Sequence, residues 1–128
     1  MTAPSPRPAR PSGHYTQAVV VPAGARLVHV SGQLPVTPDG QALADRPFAE
    51  QVAQVLANVD ACLATVGADR SHLTKVRVYV TDIADWPAFD RAYAAWLGPD
   101  LRPARAVVGV DALHFGVRLE IEAEAALP

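Results

Sequence analysis

Pro103-Ala104-Arg105-Ala106-Val107-Val108-Gly109-Val110 carries a single charge in an otherwise apolar run, and Leu119-Glu120-Ile121-Glu122-Ala123-Glu124 alternates strictly between apolar and acidic residues. A period of two is that of a β-strand. In the first segment it sets Arg105, Val107 and Gly109 on one face and Ala106, Val108 and Val110 on the other. In the second it sets Glu120, Glu122 and Glu124 opposite Leu119, Ile121 and Ala123. Both are read as strands that place charge on a sheet. An arginine among small apolar residues calls for an anionic partner or a wet cleft, because an unpaired buried charge is very costly. A carboxylate-binding pocket meets that need.

Upstream of these strands the period becomes helical. Phe89, Tyr93, Trp96 and Leu97 form one stripe, entered through Thr81 to Asp85 with Trp86 packing at the entry and ended by Gly98-Pro99. Lys75 to Val80 alternates again and predicts a strand long enough to sit centrally. Before it, Phe48, Val52, Val55, Leu56, Val59, Cys62, Leu63 and Val66 recur at spacings of three and four. This predicts a longer helix, capped by Asp45 or a neighbour, with Pro47 in its first turn and Gly67 at its end. Cys62 lies on the apolar stripe and is read as a small core residue. Near the start, Gln17–Val21 and Arg26–Val30 predict a hairpin around Pro22-Ala23-Gly24, continued by Ser31 to Val36, where Gly32 permits a close backbone approach.

The predicted order is ββ-α-β-α-ββ, an α+β layer with two helices on one sheet face. The other face is then uncovered, and Arg105, Glu120 and Glu122 are expected on it. Covering it with further copies of the chain predicts a symmetric oligomer with pockets at the seams.

The 128 residues suit one domain. Residues 1–13, rich in proline, are expected to be a disordered tail and 14–128 a single domain. No run of about 18 apolar residues suggests a membrane span, and the first residues lack the apolar stretch of a secretory signal. With Cys62 the only cysteine, a reducing cytoplasm is expected. The net charge of −2 supplies no global basic field for nucleic acid. Ten of the eleven basic residues are arginine, read here as coding bias rather than chemistry. His14, His29, His72 and His114 show no metal-ligand spacing, and neither a phosphate loop nor a nucleophile elbow is present.

The ordered set His14-Tyr15-Thr16-Gln17-Ala18, Val30-Ser31-Gly32-Gln33-Leu34-Pro35, Pro103-Ala104-Arg105 and Leu119 to Ala123 resembles the RidA family, also called YjgF or reactive intermediate deaminase. Asn58 and the Phe89-to-Tyr93 spacing add to the likeness, which covers nearly everything after the tail. The resemblance implies a chorismate-mutase-like fold and a homotrimer with sites in clefts between subunits. It implies hydrolysis of enamines and imines such as 2-aminoacrylate or 2-aminocrotonate to 2-keto acids and ammonia, with no metal or organic cofactor. By that likeness Arg105 holds the substrate carboxylate by two parallel hydrogen bonds. Glu120 orients or deprotonates water, Tyr15 relays a proton, and Ser31, Gly32, Asp90 and Val107 line the pocket. Glu122 and Glu124 are read as structural or solvated.

Three positions depart from the family pattern. Val107 stands where cysteine is frequent, Asp90 where asparagine is frequent, and Ala106 where a hydroxyl residue is common. Asp90 puts a negative charge near a site meant for an anion and is expected to shift substrate preference. Two other functions compete with deamination: a noncatalytic module that binds small carboxylates through Arg105, and an endoribonuclease, against which the net negative charge and the lack of an aromatic-basic strip speak.

Overall fold

The structure, a computed structural model, describes residues 6–128. Its regular elements are β1 (Arg26–Gln33), α1 (Phe48–Thr65), β2 (Leu73–Val80), α2 (Trp86–Leu97), β3 (Ala104–Gly109) and β4 (Leu119–Leu127), with short 3-10 turns between them. They build one four-stranded sheet in the order β1-β4-β2-β3. β4 runs antiparallel to both β1 and β2, whereas β2 and β3 are parallel, a pairing that needs the crossover supplied by α2.

Alternation decides which face the helices cover. Val76, Val78 and Val80 of β2 and Leu119, Ile121, Ala123 and Ala125 of β4 are buried beneath the helices. Val52, Val55, Val59 and Leu63 of α1 and Phe89 and Tyr93 of α2 pack onto them. Each large apolar side chain so buried contributes about 1.5–3 kcal/mol relative to exposure. Cys62 packs against this core at its margin. The opposite face is uncovered, as the sequence predicts for a two-layer chain. Among the described residues no helix is long and apolar enough to cross a membrane.

Three expectations are corrected. The strand Gln17–Val21 does not form; Val20 is 90% exposed. Thr16 makes a parallel bridge to Ala104 on β3, at the far edge of the sheet from β1. The following residues must therefore travel from one edge to the other and cannot fold back on β1 as a hairpin. Asp45 does not cap α1: Pro47 holds the cap position without a side-chain hydrogen bond, and its carbonyl accepts from the Glu50 and Gln51 amides. The incoming chain is tied instead by the fully buried Gln51, which donates to the Arg46 carbonyl (2.9 Å) and accepts from the Arg118 amide (2.9 Å).

The third correction matters for function. Arg105 is not on the uncovered face. Its register partner on β2 is Val76, whose side chain lies under the helices, and in a parallel ladder paired side chains share a face. Glu120 and Glu122, paired with Tyr79 and Arg77, are on the uncovered face as expected. Of the expected disordered tail, residues 1–5 lie outside the described residues; 6–11 have no regular structure and are exposed.

Candidate functional site

Arg105 projects from edge strand β3 toward α2, where its Nη1 donates to Asp90 Oδ1 at 2.7 Å and to the His14 carbonyl at 3.4 Å. The arginine side chain is 1% exposed, against 22% for Asp90. Four aromatic rings surround the guanidinium, with centroids at 5.1 Å (Tyr93), 5.2 Å (Tyr15), 5.4 Å (Trp86) and 5.9 Å (Phe89). Ion pairing and ring faces together offset the cost of removing this charge from water. Asp90 Oδ1 also accepts from the His14 amide at 2.9 Å. Partial burial pushes the Asp90 carboxyl up, but the His14 amide and the Arg105 guanidinium outweigh it and leave the carboxyl below its ordinary value.

The residues before β1 cover this pair. His14 is buried, with Nε2 2.8 Å from the Leu101 carbonyl oxygen and its ring edge-on to Tyr93. Thr16 donates its amide to the Pro103 carbonyl. Gly13 lies so close that a Cβ there would stand 2.6 Å from Asp90 Oδ1, 2.6 Å from the Trp86 ring and 2.8 Å from Arg105 Nη2. Tyr15 turns its hydroxyl back to Ser12, 3.3 Å from Oγ and accepting from the amide at 3.1 Å. Those two bonds hold the phenol below its ordinary value. Beneath, the Tyr93 hydroxyl is buried with no partner among the described residues, and burial pushes it well up.

A second cluster occupies the uncovered face between β1 and β4. Of the three glutamates that share this face of β4, Glu122 accepts from the Tyr79 hydroxyl and Glu124 from Arg77 Nη1 at 3.0 Å. Glu120 alone has no hydrogen-bond partner among the described residues, which leaves its oxygens for another group. The β1–β4 register shifts between Val30 and Gln33, bulging the chain at Ser31-Gly32. A Cβ on Gly32 would stand 2.0 Å from Glu120 Oε2. Gly32→Ala is therefore expected to leave the fold intact, because the far end of a flexible side chain can swing away, while displacing the Glu120 carboxylate. Its activity should fall as far as that of Glu120→Gln, with a urea-unfolding midpoint close to that of the original protein.

The structure thus brings Arg105, Asp90 and Tyr15 together on the helix side and Glu120 with Gly32 and Ser31 on the other. It does not bring the two sets together within one chain: β4 and β2 separate Gly32 on β1 from Arg105 on β3. Val107 packs at the edge of the core on the Arg105 side. Asn58 has a scaffolding part, donating to the Leu34 and Val36 carbonyls just after the bulge. Sequence reading missed the ring enclosure of Arg105 and the pinning by His14. The Phe89/Tyr93 stripe was visible, but nothing in it showed that Arg105 would enter the same layer. Among the described residues no three His, Cys, Asp or Glu side chains come together as a metal-binding group.

Comparison with known proteins adds an independent line. Residues 6–127 match the family model described as Endoribonuclease L-PSP. A RutC family protein of Aquifex aeolicus is 35% identical over 119 residues, 92% of each chain. The 2-iminobutanoate/2-iminopropanoate deaminase of Rattus norvegicus is 37% identical over 111 residues, 87% of this chain and 78% of the rat protein. Among solved structures, that of the Rid-family protein YyfB from Yersinia pestis, of unknown function, superposes with a TM-score of 0.81 at 28% identity, covering 89% of this chain and 87% of that one.

Proposed function

Because the chain belongs to the Endoribonuclease L-PSP family, the YjgF/RidA proteins, we propose that it hydrolyses reactive 2-imino and enamine acids, such as 2-aminoacrylate or 2-aminocrotonate, to 2-keto acids and ammonia. The observation that carries this reading is the enclosed Arg105, whose Nε and Nη2 make no hydrogen bond among the described residues. Two parallel donors on one planar group fit a carboxylate. The relatives named imine deaminases support the same chemistry.

In this mechanism the enamine first tautomerises to the imine, and a proton on nitrogen makes the C=N carbon electrophilic. Arg105 fixes the neighbouring carboxylate and so the plane of the reacting carbon. Glu120, without a side-chain partner among the described residues, orients a water and takes its proton as the C–O bond forms. Tyr15 relays a proton toward the departing nitrogen. Collapse of the carbinolamine breaks the C–N bond and releases ammonium with the 2-keto acid. Val107 in place of a thiol does not interrupt this route, because no step uses sulfur.

Arg105 and Glu120 reach one reacting carbon only if Glu120 comes from a second copy, since within a chain they occupy opposite faces of the sheet. This supports an oligomer with sites between subunits; that it is a homotrimer acting in the cytoplasm without metal or organic cofactor is part of the same proposal and follows the family likeness. Size-exclusion chromatography with light scattering is expected to give a trimer; a monomer would remove the shared site. The activity is tested by generating imines with an amino-acid oxidase, with semicarbazide as the competing trap. The protein should accelerate keto-acid release. Binding of small carboxylates without acceleration would identify it as a noncatalytic binding module instead.

A further inference from the structure

We propose that Asp90 makes the Arg105 site selective for zwitterions: a carboxylate is held there only when a cationic N–H group accompanies it, so the protonated 2-imino acid is accepted and the 2-keto acid product is rejected. This rests on the deaminase reading and assigns Asp90 a specificity role within it. The first support is the arrangement of unused valences. Asp90 Oδ1 takes both the Arg105 and the His14 bonds, while Oδ2 accepts none among the described residues. Beside it, Arg105 Nε and Nη2 have donors to spare. Through the Nη1–Oδ1 bond the spare oxygen and the spare donors belong to one ion pair, and a carboxylate one bond away from an iminium nitrogen offers a partner to each.

The second support is exposure. Of the two paired side chains, the acid is the more exposed, 22% against 1%, so a ligand entering the site meets negative charge before it meets the guanidinium. A simple monoanion adds a second negative charge to a pair that is already neutral, in a partly desolvated place where like charges are strongly unfavourable. A zwitterion completes both halves. Hydrolysis converts one ligand class to the other: R–C(=NH2+)–COO− plus water gives R–CO–COO− plus NH4+. Loss of the cationic nitrogen removes the group that Asp90 holds, which favours product departure.

The test uses 2-aminobutanoate as a stable zwitterion and 2-oxobutanoate as the matching anion, with affinities measured by calorimetry on the intact oligomer. The original protein is expected to bind 2-aminobutanoate more tightly. Asp90→Asn keeps the shape and removes the charge, and should raise 2-oxobutanoate affinity on the order of tenfold while weakening 2-aminobutanoate. Product inhibition by 2-oxobutanoate should tighten in parallel. Equal or tighter binding of 2-oxobutanoate by the original protein overturns the proposal even if the variant fails to fold, as does an affinity ratio unchanged by the substitution. Imine turnover in the oxidase assay is read separately. Turnover with an unchanged ratio removes the selectivity alone, whereas a charge-dependent ratio without turnover removes deamination and keeps the selectivity.

Discussion

Arg105→Met is expected to lower keto-acid release by about a thousandfold or more, since it removes both the carboxylate clamp and the orientation that the clamp imposes. The same substitution should cost about 2–4 kcal/mol of stability, because it strands the partly buried Asp90 carboxylate with the His14 amide as its one partner among the described residues. Two effects from one change need to be separated. Adding Asp90→Asn removes the stranded charge and should restore much of the stability, measured by urea unfolding, without restoring activity. Recovery of activity in the double variant would show that Arg105 serves packing rather than substrate. Acidity provides a further check on the pair. Asp90 titrates below its ordinary value of 3.8 in the folded chain, so its contribution is complete above that value and is lost as pH falls through the lowered one. The stability advantage of the original protein over Asp90→Asn should shrink across that acidic window.

Glu120→Gln is expected to reduce turnover by about a hundredfold to ten-thousandfold, the range for losing a positioned acid or base. Stability should change by no more than about 0.5 kcal/mol, since this carboxylate is partly exposed and holds no side-chain partner among the described residues. Glu122→Gln supplies the contrast. It weakens the bond from the Tyr79 hydroxyl and should leave turnover close to that of the original protein. Equal loss of activity in the two variants would mean that the uncovered face acts through its overall charge and that Glu120 has no special place.

Arg105 and Glu120 differ in how legible they are in the sequence. Glu120 is legible because β4 alternates without interruption, and a period of two fixes its face. Gly32 is legible as a point of close approach, although its partner is not. Arg105 is legible as an unusual charge, but its face is not: β3 is short, flanked by small residues on both sides, and carries no strong apolar alternation. Only the register against Val76 settles where it points. The failed strand at Gln17–Val21 has the same origin. Its composition suits a strand, yet pairing depends on where Thr16 is held, which rests on contacts with residues far along the chain. The covering of Arg105 by Gly13 and His14 belongs to that same class of long-range fact, and no local periodicity encodes it.

The position of β4 has a consequence for biosynthesis. It is the last element in chain order, yet it lies between β1 and β2 and is hydrogen-bonded to both. Until it leaves the ribosome, β1 has no partner strand among the described residues, and β2 and β3 form a two-stranded ribbon whose β2 edge, later covered by β4, is open. Two-stranded pieces are marginal in water, and unpaired strand edges invite pairing with other chains. The nascent polypeptide therefore stays open until β4 has been made, then closes in one step that joins Arg26 to Leu127. Slowed translation of the segment between β3 and β4 should lengthen the period of exposed edges and raise the demand for chaperones, whereas a pause between α1 and β2 should matter far less.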